Sequence, residues 1–156
     1  LVQGGCDPRL IARRVIAHSS EDVGMADPMA MVVSTNALVA FEKLGLPEGL
    51  LPLSQAIIYV CEAEKSNSVV IAMDESAKDA REIKDDNVPP WVKNAVYGSK
   101  EDKKEAANYK YPHSYGGYVE QQYLPDSLKD RVYYVPQNNG YENTVKEIRK
   151  RKGKKR

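Results

Sequence analysis

The chain has 156 residues, 42% hydrophobic and 29% charged, with a formal net charge of +1; this is the size of one globular domain that can bury a core without staples. Cys6 and Cys61 are too few and too far apart for a disulfide framework, and no Cys or His partner stands at zinc-ligand spacing, so a reducing, intracellular setting is expected. No run approaches the roughly 20 apolar residues that span a bilayer, the amino end lacks the pattern of a secretory signal, and Leu1 in place of an initiator Met leads us to expect a piece of a longer protein.

The first two thirds are helical in pattern. Asp7-Pro8 supplies an N-cap carboxylate and a first-turn proline, and Leu10, Ile11, Val15 and Ile16 follow at helical spacing, predicting a helix to about Ser19 or Ser20. Asp27-Pro28 repeats the device ahead of Met29, Met31, Val32, Val33, Ala37, Leu38, Val39, Ala40, Phe41 and Leu44, with Gly45 as the terminator. A narrow polar strip around Ser34, Thr35, Glu42 and Lys43 is all that this second helix offers to water, so it must be covered on most sides. The third helix contains Leu53, Ala56, Ile57, Ile58, Tyr59, Val60 and Cys61, ends near Glu64 and has Pro52 in its first turn; it too is apolar nearly all round. The fourth follows Ser66-Asn67, with Val69, Val70, Met73, Ala77, Ala80 and Ile83 on the expected inner side and Asp74, Glu75, Lys78, Asp79, Arg81 and Glu82 facing solvent.

Beyond Asp85 the helical period is lost. Pro89-Pro90, the charged stretch Lys100 to Glu105 and nine of the ten tyrosines lie in the remaining length. Tyr109, Tyr111, Tyr115 and Tyr118 flank Gly116-Gly117 without strand alternation, which predicts a loop excursion held by rings packed on the helices. Val132, Tyr133, Tyr134 and Val135 form one candidate extended piece, and the pattern turns helical again from Glu142. From Lys146 to Arg156 eight basic residues face one acid, Glu147, a net +7 that leaves −6 for the rest. Such an end either attracts phosphate or stays a solvated terminus. The organisation expected is a helical core over 1–85, a Tyr-rich extension of the same domain over 86–145 and a basic tail over 146–156.

Little catalytic chemistry is visible. The phosphate-cradling pattern G-x-x-x-x-G-K-[ST] and the G-x-G-x-x-G pattern are both absent. His18 and His113 have no carboxylate pair at helical spacing. Glu21, Asp22 and Asp27 around Gly24 suit either a cation site or the capping and turn chemistry of an interhelical corner. Lys65 beside Ser66-Asn67 suits an anion at a helix start, although Ser or Asn as a plain N-cap explains the spacing. The tyrosines with Lys100, Lys103, Lys104 and Lys110 suit either base stacking or packing.

Several short runs are specific in combination. Arg13-Arg14-Val15-Ile16 with Ser20-Glu21-Asp22-Val23-Gly24-Met25-Ala26-Asp27-Pro28, Gln55-Ala56-Ile57-Ile58-Tyr59, Lys65-Ser66-Asn67, Val88-Pro89-Pro90 leading to Asn94-Ala95, and Tyr123-Leu124-Pro125-Asp126 with Tyr133-Tyr134 and Pro136 occur in order. This set resembles the replication-associated recombination protein A family, also called MgsA, whose eukaryotic relative is the Werner-helicase-interacting protein. The resemblance implies a carboxy-terminal, all-α, clamp-loader-collar-like oligomerisation domain with a Tyr-rich loop excursion after the fourth helix. It implies that the AAA+ module, with its ATP and Mg, lies outside this chain, so the fragment itself holds no cofactor and is no enzyme. It further implies a homotetramer that is cytoplasmic and nucleoid-associated, acting at stalled replication forks with DNA and single-stranded DNA-binding protein as partners and with no membrane. Trp91-Val92-Lys93 departs from the family's usual Leu-Arg, and Lys100 to Asn108 replaces a more compact link.

Two helices apolar on most sides exceed what one small layer can shield, so a second molecule, another domain or the tyrosine-rich segment must cover them. The residues proposed to meet another subunit are Met29, Val32, Val33, Phe41, Ile57, Ile58 and Tyr59. The alternative function is nucleic-acid binding by the tyrosines and the basic end, Lys150, Arg151, Lys152, Lys154, Lys155 and Arg156.

Overall fold

Asp7 accepts a hydrogen bond from the Arg9 amide at 2.9 Å and starts α1 (Pro8–His18), with Pro8 in the first turn. The computed structural model describes residues 2–84, 87–92, 100, 104 and 107–153. A π-helical turn (Ser19–Val23) and a 3-10 turn (Gly24–Ala26) make the corner to α2 (Met29–Leu44), where the Asp27 carboxylate accepts from the Met29 amide at 3.0 Å. Gly45 ends α2 by donating to the Phe41 carbonyl, and α3 (Leu50–Glu62) returns with Pro52 in its first turn. After a short junction come α4 (Ser68–Glu82), the irregular tyrosine-rich segment and α5 (Tyr141–Arg151). Among the described residues all regular structure is helical; Val132 to Val135 runs without helix or strand.

Helices α1, α2 and α3 pack on one another as a bundle, and α4 and α5 dock on the corner before α2. The bundle closes over small side chains. Its buried apolar residues are Ala12, Val23, Ala26, Ala30, Ala37, Phe41, Leu53, Ala56 and Val60. Five of these nine are alanine, so much of the helix contact is made over small side chains. On α2 the ridge Ala30, Ser34, Ala37 and Phe41 faces inward at helical spacing. The larger side chains of the same helix are then turned outward.

Two expected faces are corrected by this packing. Ser34, placed on the solvent strip by hydrophobicity, is buried at 1% exposure because the α2 contact admits only a small side chain there; Thr35, Glu42 and Lys43 do face solvent. Helix α4 keeps the expected orientation in part: Asp74, Glu75, Lys78, Arg81 and Glu82 face solvent and Val70, Ala77 and Ile83 are half-buried, but four positions depart from it. Asp79 is buried while Val69 and Met73 are exposed and Ala80 with them, because Arg131 and Tyr133 reach in to neutralise and bond the carboxylate.

The buried Ser34 hydroxyl has no hydrogen-bond partner. An unsatisfied buried donor weakens a fold, and Ala is a better helix former of nearly the same size. Ser34→Ala should therefore raise the unfolding free energy by about 1 kcal/mol in a urea titration; a loss of stability would show that the hydroxyl is bonded in solution.

Candidate functional site

The outward side of the α2–α3 hairpin is the most unusual surface of the chain. Between Asp27 and Glu42, and again between Glu48 and Glu62, there is no charged residue. On this stretch Met29, Val32, Val39, Leu51 and Ile58 are all at least 46% exposed, with Ile58 at 63% and Leu51 at 73%. A groove of about 280 Å³ between the two helices is lined by Val32, Val33, Ala40 and Pro52. On the other side of α3 a cavity of about 620 Å³ lies against α1, with Val15, Ile57, Val60 and Cys61 as its apolar wall. The polar side chains at its rim are turned to one another. His18 Nδ1 lies 2.5 Å from Asp22 Oδ2, and Gln137 donates to the Asn67 side chain at 2.6 Å.

Of the seven residues proposed for subunit contact, Met29, Val32, Ile57 and Ile58 are exposed and Val33 is half-buried at the groove. Phe41 is buried in the chain's own core, under the α2–α3 turn, and drops out of the set. Tyr59 is half-buried and donates its hydroxyl to Asp27 Oδ2 at 2.7 Å. That bond is the main reason its pKa is raised, with burial and the Asp27 charge adding to it.

The corner carboxylates separate into structural tasks. Asp27 caps α2 and holds Tyr59, Asp22 faces His18 while its carbonyl accepts the Ser66 amide at 2.8 Å, and Glu21 points to solvent. Among the described residues no three His, Cys, Asp or Glu side chains come together as a metal site. Lys65, considered for an anion, donates instead to the carbonyls of Val60, Cys61 and Ala63 and so closes the C-terminus of α3. Ser66 accepts from the Ser68 amide at the start of α4.

The tyrosine-rich segment does not blanket α2 or α3 with these bonds. The hydrogen bonds of Arg131, Tyr133, Tyr134, Gln137 and Asn139 end on α4, α5 and the α3–α4 junction. Arg131 bonds Asp79 at 2.7 Å and Tyr133 bonds its other oxygen at 3.1 Å. The Asp79 bond raises the Arg131 pKa, and burial together with Asp79 raises that of Tyr133.

Glu142 in α5 is fully buried, and sequence reasoning missed it because an acid in a first helical turn ordinarily needs no partner. Its carboxylate accepts from Ser68 Oγ at 2.5 Å, Tyr134 at 3.1 Å and the Gln137 amide at 3.0 Å. Burial pushes its pKa up, but these bonds and one from Ser66 outweigh it and hold the group below its ordinary value. Burial and Glu142 together push Tyr134 up to about 12, so it stays a donor. Gly140, just before α5, sits where a Cβ would meet the Ala26 carbonyl oxygen at 2.2 Å, so only glycine permits this docking.

The basic end starts within α5. Lys150 pairs with Glu147 at 3.0 Å, and Arg149 donates to the Tyr134 carbonyl and covers its ring. Arg151 and Lys152 are exposed. Lys154, Lys155 and Arg156 lie outside the described residues, as do Lys103 and Asn94-Ala95. No helix among the described residues is long and apolar enough to cross a membrane.

Comparison with known proteins identifies this helical arrangement. Residues 1–152 match the family described as MgsA AAA+ ATPase C terminal. Replication-associated recombination protein A of Bacillus subtilis is 41% identical over 150 residues, 95% of this chain and 35% of that protein. The Escherichia coli K12 protein of the same name is 36% identical over 94% of this chain and 33% of its own length. ATPase WRNIP1 of Dictyostelium discoideum is 29% identical over 86% of this chain and 16% of its own. The chain thus spans about a third of the length of the two bacterial proteins.

Because the Glu142 pKa is lowered in the folded state, its stabilisation is complete above the unfolded carboxyl pKa of about 4.3 and is lost as pH falls through the lower folded value. Glu142→Ala leaves several donors unpaired and should cost about 2–4 kcal/mol at pH 7. Urea titrations at neutral and acidic pH should show a smaller acid-induced loss in the variant than in the native chain; equal losses would mean that Glu142 is not the linked group.

Proposed function

The chain belongs to the MgsA AAA+ ATPase C-terminal family, and on that premise we propose that it joins identical subunits, as a homotetramer, of an ATPase acting in replication-associated recombination and repair. The observation that carries this reading is the outward α2–α3 surface, which is apolar, exposed and without a charged residue from 28 to 41 and from 49 to 61. Side chains of that kind gain free energy only when covered, and a stable subunit contact covers roughly 800 Å² per partner. Met29, Val32, Val33 and Ile58 on this surface, with Ile57 on the α1-facing side of α3, are the residues proposed to be covered; Tyr59, tied to Asp27, frames them.

Nucleotide chemistry is assigned to the part of the relatives that this chain does not span. The residues here do not fit ATP and Mg: the phosphate-cradling run is absent from the sequence, and at the cavity between α1 and α3 His18 is engaged with Asp22, Gln137 with Asn67 and Lys65 with the Val60 carbonyl. The assembled protein would act in the cytoplasm, at the nucleoid, with DNA and single-stranded DNA-binding protein as its partners.

A second reading, phosphate contact at the basic end, is supported by Arg151 and Lys152, which are exposed and form no ion pair among the described residues. Deleting 152–156 should reduce the slope of log affinity against log salt for single-stranded DNA by about three; an unchanged slope removes this reading.

For the assembly, sedimentation of the chain at high micromolar concentration should give the mass of a multimer. Ile58→Glu places a charge in the covered surface and should weaken association by about thirtyfold or more without altering the circular dichroism spectrum. A native chain that sediments as a monomer would end the proposal.

A further inference from the structure

Six of the ten tyrosines contrast in what their hydroxyls do. Tyr59, Tyr133 and Tyr134 are half-buried, and each donates to a carboxylate. Tyr109, Tyr111 and Tyr115 are 39%, 57% and 55% exposed, and among the described residues their hydroxyls have no partner. A lone exposed ring is ordinary, but three within seven residues contribute little packing and leave a local concentration of aromatic surface in water.

This surface is preorganised. Tyr111 stands immediately before a 3-10 turn (Pro112–Tyr115), and Tyr115 ends it. The Ser114 amide donates to the Tyr111 carbonyl at 3.0 Å and the Gly117 amide to the Pro112 carbonyl at 2.9 Å, with Gly116 in the left-handed conformation that closes the turn. Below it the Lys110 amide donates to Gln121 Oε1 at 2.8 Å, and Trp91 Nε1 donates to the Gln122 carbonyl at 2.8 Å. The His113 ring lies 5.0 Å from that of Tyr111, tilted by 45°, and extends the aromatic area. From 106 to 119 the sequence holds Lys110 and His113 and no carboxylate.

We infer that the 109–115 turn is a stacking platform for unpaired nucleic-acid bases, with Tyr111 and Tyr115 beneath the bases and Lys110 beside the phosphates. Every base presents a π face, so such a platform tolerates sequence, and rings held on a rigid turn lose little conformational freedom on binding. Between Glu105 and Glu120 the turn itself carries no carboxylate to repel the backbone of the strand. This inference is independent of the assembly proposed for α2 and α3, and of the basic end.

The test is fluorescence anisotropy of the full chain with labelled oligo(dT) of about 15 nucleotides and with a duplex of the same length. The Tyr111→Ala/Tyr115→Ala variant should weaken oligo(dT) binding about tenfold or more, whereas Tyr111→Phe/Tyr115→Phe should stay within about twofold of the native chain. The salt slope should be the same in all three, because the rings carry no charge, and duplex affinity should not change. Circular dichroism and sedimentation of the alanine pair should match the native chain. The inference is overturned if the native chain fails to bind oligo(dT), if the alanine pair binds as well as the native chain, if the phenylalanine pair loses as much as the alanine pair, or if duplex binding falls equally. It is also overturned if the alanine pair breaks up a multimer, which would place the rings against another copy.

Discussion

Helices α1, α2 and α3 meet through alanine, and the rest of the molecule follows from that contact. Ala12, Ala26, Ala30, Ala37 and Ala56 occupy positions where a larger core would hold leucine or isoleucine. Each buries little apolar area by itself, so the bundle gains less from side-chain transfer than its hydrophobic content suggests. The larger Met29, Val32, Leu51 and Ile58 are left on the outside. The apolar exterior is a geometric consequence of the small interior.

Helices α4 and α5 half-bury only a few apolar side chains, among them Val70 and Ala77 on α4 and Val145 and Ile148 on α5. The two helices are held by carboxylates that meet donors brought from far along the chain. Asp79 of α4 receives Arg131 and Tyr133, and Glu142 of α5 receives Ser68 and Tyr134. Asp27 and Tyr59 form the corresponding link within the bundle. Such bonds are directional and fix register, but each loses its value if one partner is removed, since the other is left buried and unpaired. The irregular tyrosine-rich segment is therefore structural over Arg131 to Asn139 and presents its unused rings elsewhere, at Tyr109 to Tyr115.

Membership in the MgsA AAA+ ATPase C-terminal family accords with this division of surfaces. The chain spans about a third of the length of its bacterial relatives, and a bundle with one uncharged face and one aromatic turn offers two separate places for contact. The proposed assembly face and the proposed base platform lie on different segments, so one does not need the other.

Helix starts were legible in the amino-acid order because capping is local. Asp7-Pro8 and Asp27-Pro28 announce α1 and α2, Gly45 closes α2, and Pro52 falls in the first turn of α3. The family was legible too, since its short runs lie in sequence from Arg13 to Pro136. Which side of each helix is buried was not. Hydrophobic periodicity selects a face only when one face is greasier than another; α2 and α3 are apolar nearly all round, so steric fit chose the alanine side, and that choice moved Ser34 inward. On α4, Asp79 looked like a solvent residue because its partners, Arg131 and Tyr133, are more than fifty positions away. Local chemistry in the chain determines where helices begin and end, whereas burial of a particular side chain depends on groups that only the folded arrangement brings within bonding distance.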